Sequence, residues 1–216
     1  MTSEGAIQTC DRLTRASAKI ILETNAVSIR YQYPYKTNTR KFLQCVRINK
    51  MSKLITCIWF ANNNGEEAAS YYIDTFNSAP GEHTAKIGDI TKAPKASEEV
   101  SGRPEGSVLT AEYELDGISF MALNGGPVDQ FKLNGATSYI VECETQEEID
   151  FFWEKFSAVP EAEQCGWCTD KFGVTWQIAP RILDEMMRDP EKAEAVTKVF
   201  LPMKKLDLEA IRKAGE

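Results

Sequence analysis

Side chains able to do chemistry are few in this 216-residue chain, and each has a competing structural use. The only histidine, His83, excludes H-E-x-x-H and two-His-one-carboxylate metal sites within one chain, because both need a second imidazole. His83 also lies on a loop-rich segment, away from any cysteine whose thiol it could activate. Cys165 and Cys168 have C-x-x-C spacing, but no second pair and no thioredoxin-like βαβ context accompany them. They read as hairpin thiols that point to opposite faces or twist across the turn. Asn124 and Gln177 are carboxamides able to orient a ligand by donating and accepting, or to tie neighbouring strands together. Trp59, Phe120 and Trp176 could stack on a flat ligand or fill the core. The Glu98-Glu99 and Glu147-Glu148 pairs read as a solvated loop and a helix start, not as a catalytic dyad.

The stretch from Cys165 to Pro180, CGWCTDKFGVTWQIAP, organises these candidates. Asp170 to Gly173 supplies turn chemistry, and residues 174–178 form an apolar, β-rich run interrupted only by Gln177. A lone carboxamide in such a strand is either at an edge or aimed into a pocket.

Composition narrows the classes. The chain is 43% apolar and 26% charged, an ordinary globular mix, and has no apolar run near the ~18–20 residues of a membrane span. Residues 1–50 carry nine Lys/Arg against three Asp/Glu, a formal +6, whereas the remainder is −13. An acidic body argues against nucleic acid as a partner, since phosphate contacts need a basic face. No secretory signal opens the chain, so its six cysteines are expected to be free thiols in a reducing compartment.

Residues 1–50 read as an extension outside the fold, or as a targeting segment of mitochondrial type, with a short helix near 16–22. Cytoplasmic location is the expectation, with a mitochondrial one if that segment is a presequence. Residues 54–60 are apolar on both faces and predict a strand buried on both sides. Asn64 with Glu67 is a capping-box signature opening a helix that buries Ala68, Ala69, Tyr72 and Phe76. Strands are expected at 84–90, 108–115 and 118–123, with a loop at 91–106 and an Asp116-Gly117 hairpin turn. The order then recurs. Residues 136–143 form a strand, Thr145 with Glu148 is a second capping box, and Ile149, Phe152, Trp153 and Phe156 make the buried stripe. A shift of 81 positions superposes Asn64 on Thr145 and Tyr71-Tyr72 on Phe152-Trp153, which argues for a duplicated unit. Beyond Pro180 the pattern is helical at 181–188 and 190–200, with Asp207 capping a last short helix.

The phrases WFANNNGEEAASYY, FMALNGGP, CETQEEIDFFWEKFS, CGWCTDKFGVTWQIAP and FLPMKKLDLEAI resemble the PhnB-like family, often labelled 3-demethylubiquinone-9 3-methyltransferase. This is a branch of the vicinal-oxygen-chelate superfamily, which includes glyoxalase I and bleomycin-resistance proteins. The resemblance covers residues 51–214. It implies an α+β fold: two βαβββ repeats over 51–180 (54–126 and 136–180) forming a pair of half-barrels, then C-terminal helices over 181–216. It also implies a homodimer and a cleft for a small organic ligand. Cleft candidates are Cys57, Trp59, Phe120, Ala122, Asn124, Ser138, Ile140 and Gln177. In metal-dependent relatives four ligands come from the sheet, and the matching positions here are Cys57, Ala122, Ser138 and Gln177. Alanine cannot coordinate, and serine and glutamine are weak neutral ligands, so no cofactor is expected. The alternative is a glyoxalase-, isomerase- or dioxygenase-like enzyme using a weakly held divalent metal or none. Methyl transfer is disfavoured, because the one glycine pair, Gly125-Gly126, precedes a proline and a loop rather than a helix.

Overall fold

The computed structural model describes residues 54–98 and 103–216, which belong to one compact unit, Ser52–Glu216. The expectations for residues 1–50 lie outside the described residues.

The elements are β1 (Thr56–Trp59), α1 (Gly65–Ser78), β2 (Ala85–Lys92), β3 (Val108–Leu115), β4 (Ile118–Leu123), β5 (Tyr139–Cys143), α2 (Gln146–Phe156), β6 (Trp167–Thr169), β7 (Thr175–Pro180), α3 (Arg181–Arg188), α4 (Pro190–Phe200) and α5 (Leu208–Ala214). They form an α+β fold with two small sheets, ordered β1-β4-β3-β2 and β5-β7-β6. The connectivity of the two sheets matches. In each, the first strand runs parallel to the last, and the last is antiparallel to the one before it. After its helix the second half has two strands where the first has three; a single turn of 3₁₀ helix at Pro160–Ala162 lies ahead of β6.

Each sheet buries one face under the helices. Ala111, Tyr113 and Leu115 of β3 lie beneath α1 with Phe120 and Ala122 of β4, as the alternation in β3 predicts. β1 departs from expectation: only Ile58 is buried, while Cys57 is exposed on the other face. Its apolar run therefore does not signal burial on both sides.

An aromatic chain crosses from one sheet to the other. Tyr113 stacks on Phe120 (5.2 Å between centroids), Phe120 meets Tyr139 edge-on (5.2 Å), and Tyr139 leans on Trp176 (5.5 Å). Trp176 then stacks on Phe156 of α2 at 4.3 Å. Burying each large ring contributes about 2–3 kcal/mol of hydrophobic free energy, so this chain binds the two halves into one core. Trp176, 2% exposed, therefore fills the core, while Gln177 lies on the opposite face of β7.

The C-terminal helices have their own small core of Met186, Val196, Leu206 and Ile211. Asp189 and Asp207 cap α4 and α5 through their side chains. The preceding hairpin holds this region: the amides of Cys165 and Gly166 donate to the carbonyls of Met203 (2.6 Å) and Lys204 (2.7 Å). Cys165 faces α4, its thiol near the carbonyls of Phe200 and Leu201, whereas Cys168 is fully buried. Among the described residues all cysteines are free.

Candidate functional site

Two polar clusters sit at the junction of the halves, and the first is closed. Asp170, 1% exposed, opens the β6–β7 turn. Its Oδ1 accepts from the amides of Phe172 (2.8 Å) and Val174 (3.0 Å). Its Oδ2 accepts from the Tyr72 hydroxyl of α1 (2.7 Å) and the Trp176 indole (2.8 Å). Burial pushes this carboxyl above the usual aspartate range, and the four donors oppose the shift. The same environment pushes the Tyr72 hydroxyl well up. The TDKFGVTW phrase thus encodes a clamp between α1 and the hairpin.

The second cluster is open. A groove of about 1100 Å³ is bounded by the segment 81–84, the β3–β4 turn, β5 and the start of α2. Half-buried Tyr139 and the edges of the core rings Phe120 and Trp176 form its apolar floor, and Ile118 and Ile140 stand exposed at its lip. Its polar side is built from three segments. Asp116 and Gly117 both take positive φ (44° and 82°), the geometry that an Asp-Gly hairpin turn needs. This turns the Asp116 carboxylate back to accept from the Thr84 amide at 2.7 Å and from His83 Nδ1 at 2.7 Å. The imidazole packs edge-on between Phe76 and Phe152, leaving Nε2 3.9 Å from Glu148 Oε1. Glu148 completes the expected capping box with Thr145, and its Oε2 accepts from the amides of Glu144 and Thr145. Gly81 lies so close that a Cβ there would stand 2.1 Å from Glu148 Oε1. Arg181 bridges Glu144 (2.7 Å) and Glu142 (3.6 Å) at the rim.

The eight cleft candidates divide among separate places. Phe120, Ser138 and Ile140 line the groove, and Gln177 stands beside it with its Nε2 donating to Ser138 Oγ at 2.8 Å. Ala122 is fully buried on the helix side, its Cβ against Gly65 of α1. Asn124, 1% exposed, is engaged at both ends of its amide: Oδ1 accepts from the Gly65 amide (2.8 Å) and Nδ2 donates to the Val108 carbonyl (3.1 Å). It thereby caps α1. The expected Asn64 box does not form, because Asn64 at φ −110°, ψ 22° is outside the extended conformation from which a cap side chain reaches inward. Buried Arg103 braces this corner from below, donating to Asn63 Oδ1 (2.6 Å) and to the Val108 carbonyl. Trp59 donates to the Gly126 carbonyl (2.9 Å) and lies on Phe131 (4.7 Å), while Gly125 packs flat on its ring. That contact accounts for the Gly125-Gly126 pair. Cys57 lies on the open face of the first sheet, its thiol pushed up by partial burial.

Of the four positions that the resemblance sets against metal ligands, Cys57, Ala122, Ser138 and Gln177, one carries no donor atom. Ala122 has no donor and faces the helix, and Ser138 and Gln177 bond to each other. Among the described residues no three His, Cys, Asp or Glu side chains converge as ligands. Nor is any described helix long and apolar enough to cross a membrane.

No signal in the sequence joined His83, Asp116 and Glu148. From the sequence, Asp116 reads as a turn residue, Glu148 as a helix-start and capping residue, and His83 as a loop residue.

The family model described as 3-demethylubiquinone-9 3-methyltransferase matches residues 52–179, more than half of the chain. A PhnB protein from Bacillus cereus, described as a putative 3-demethylubiquinone-9 3-methyltransferase, is 29% identical. The match covers 58% of this chain and 97% of that one, with a TM-score of 0.44. Protein PA1353 from Pseudomonas aeruginosa is 16% identical over 59% of this chain and 96% of its own, with a TM-score of 0.39. A gene product from Arabidopsis thaliana is also 16% identical over the same shares, with a TM-score of 0.36. No curated protein matches.

Proposed function

This chain belongs to the 3-demethylubiquinone-9 3-methyltransferase family, and from that premise we propose that it binds a small organic ligand in the groove, with no metal at the superfamily's usual position. One observation carries the reading. The groove's volume of about 1100 Å³ suits a small molecule, and it combines an aromatic floor with a few convergent polar groups. The shared connectivity of the two sheets supports a duplicated vicinal-oxygen-chelate unit. The methyltransferase in the family's name finds no support in the glycine pair, which Trp59 occupies.

The test is a thermal-shift screen of a chemically diverse small-molecule library, followed by titration of the hits. Ile118 and Ile140 are exposed at the lip, so Ile118→Lys and Ile140→Lys leave the core intact while obstructing the groove. A ligand present at 100–1,000 times its dissociation constant stabilises the protein by roughly 3–4 kcal/mol, and both variants should abolish that shift. Hits whose shifts survive both variants bind elsewhere and overturn the proposal.

A further inference from the structure

On the polar side of the groove, His83 and Glu148 face each other across 3.9 Å. The Asp116 carboxylate can only accept from His83 Nδ1, and with the ring proton on Nδ1 the lone pair lies on Nε2. Across 3.9 Å stands Glu148 Oε1, which accepts no hydrogen bond among the described residues, both capping amides going to Oε2. The two side chains are only 10% and 8% exposed, held in place by their neighbours at the groove wall. Both atoms face the groove, so two acceptors with no protein donor converge at its wall. A spacing of 3.9 Å is too long for a direct bond but lets one group with two N–H donors reach both.

Charge selects which group. Glu82, Asp116, Glu142, Glu144 and Glu148 line the groove, against Arg181, which Glu142 and Glu144 already engage. The local field favours a cation. Beside this polar end lies the Phe120–Tyr139–Trp176 floor. We propose that the groove's ligand is a primary amine on an apolar or aromatic body, its ammonium held between His83 Nε2 and Glu148 Oε1. This rests on the groove being the binding site.

Titration calorimetry of the full chain with phenethylamine, phenethyl alcohol and hydrocinnamate tests it. The three share a similar aryl body and differ at the head group: cation, neutral hydroxyl, anion. Saturable binding with phenethylamine at least about tenfold tighter than the other two is expected. Glu148→Gln keeps an oxygen for the two capping amides and puts an N–H₂ donor at the Oε1 position. It should weaken phenethylamine about tenfold or more and leave the alcohol unaffected. His83→Phe preserves the ring packing, removes Nε2 and should weaken the amine less. Equal or tighter binding of hydrocinnamate, no saturable phenethylamine binding, or unchanged amine affinity in both variants overturns the amine site. If Ile140→Lys still blocks library hits in any of these cases, the groove stands and only the amine assignment falls.

Discussion

Asp170 and Glu148 are both buried carboxylates, in matching senses products of the same local chemistry, yet they end in opposite states. Asp170 receives four donors across its two oxygens, two of them from side chains on other elements. Glu148 receives its donors on one oxygen and leaves the other facing a histidine across a gap. A saturated carboxylate in a packed core has no capacity left for a ligand, so its work is structural. An unsaturated one at the wall of a groove retains an interaction to give. Counting donors per oxygen therefore separates the clamp from the site more sharply than burial does, since both residues are almost equally hidden.

The largest expected effect is at the clamp. Asp170→Ala strands the Tyr72 hydroxyl, the Trp176 indole and two amides, and should cost about 3–5 kcal/mol in urea unfolding. A loss under about 1 kcal/mol would show that the four bonds are not holding the hairpin to α1.

Gly81→Ala attacks the open side. At φ +91° an L side chain is strained, and its Cβ would stand 2.1 Å from Glu148 Oε1. A cost of about 1–3 kcal/mol is expected, together with weakened amine binding as Glu148 is displaced. Normal stability with normal binding would break the link between this glycine and the site.

The clamp also carries a pH response. Burial raises the folded-state value of Asp170 above its unfolded one, so ionisation costs more in the folded state. The stabilisation from its protonated form is fully present below about pH 4, the unfolded aspartate range. It is lost as pH rises through the higher folded value. Asp170→Asn removes the titration. The stability of the native chain relative to this variant should therefore fall with rising pH across that window and level off above it, as read by urea midpoints at successive pH. The opposite slope would mean that the four donors outweigh desolvation.

The smallest effect sharpens the contrast. Glu148→Gln keeps the capping oxygen, so its stability cost should stay under about 1 kcal/mol while ligand binding changes. A cost as large as that of Asp170→Ala would make Glu148 a second clamp.

Much of the scaffold was legible because its signals are local. The Thr145–Glu148 box, the Asp116-Gly117 turn, the alternation of β3 and the apolar stripes of α1 and α2 each depend on residues a few positions apart. Reading failed where a distant segment intervened. Asn124, not Asn64, caps α1, from 59 positions away along the chain. The β1 run looked doubly buried, but apolar composition does not record whether anything covers the second face of a sheet.

The sequence alone determined the mix of strands and helices, the Asp116-Gly117 turn and the Thr145–Glu148 cap, since these follow from short-range periodicity and backbone preference. Tertiary structure alone decided which polar groups were satisfied. Whether a carboxylate is clamp or site depends on how many donors reach it, and those donors come from segments that only folding brings together.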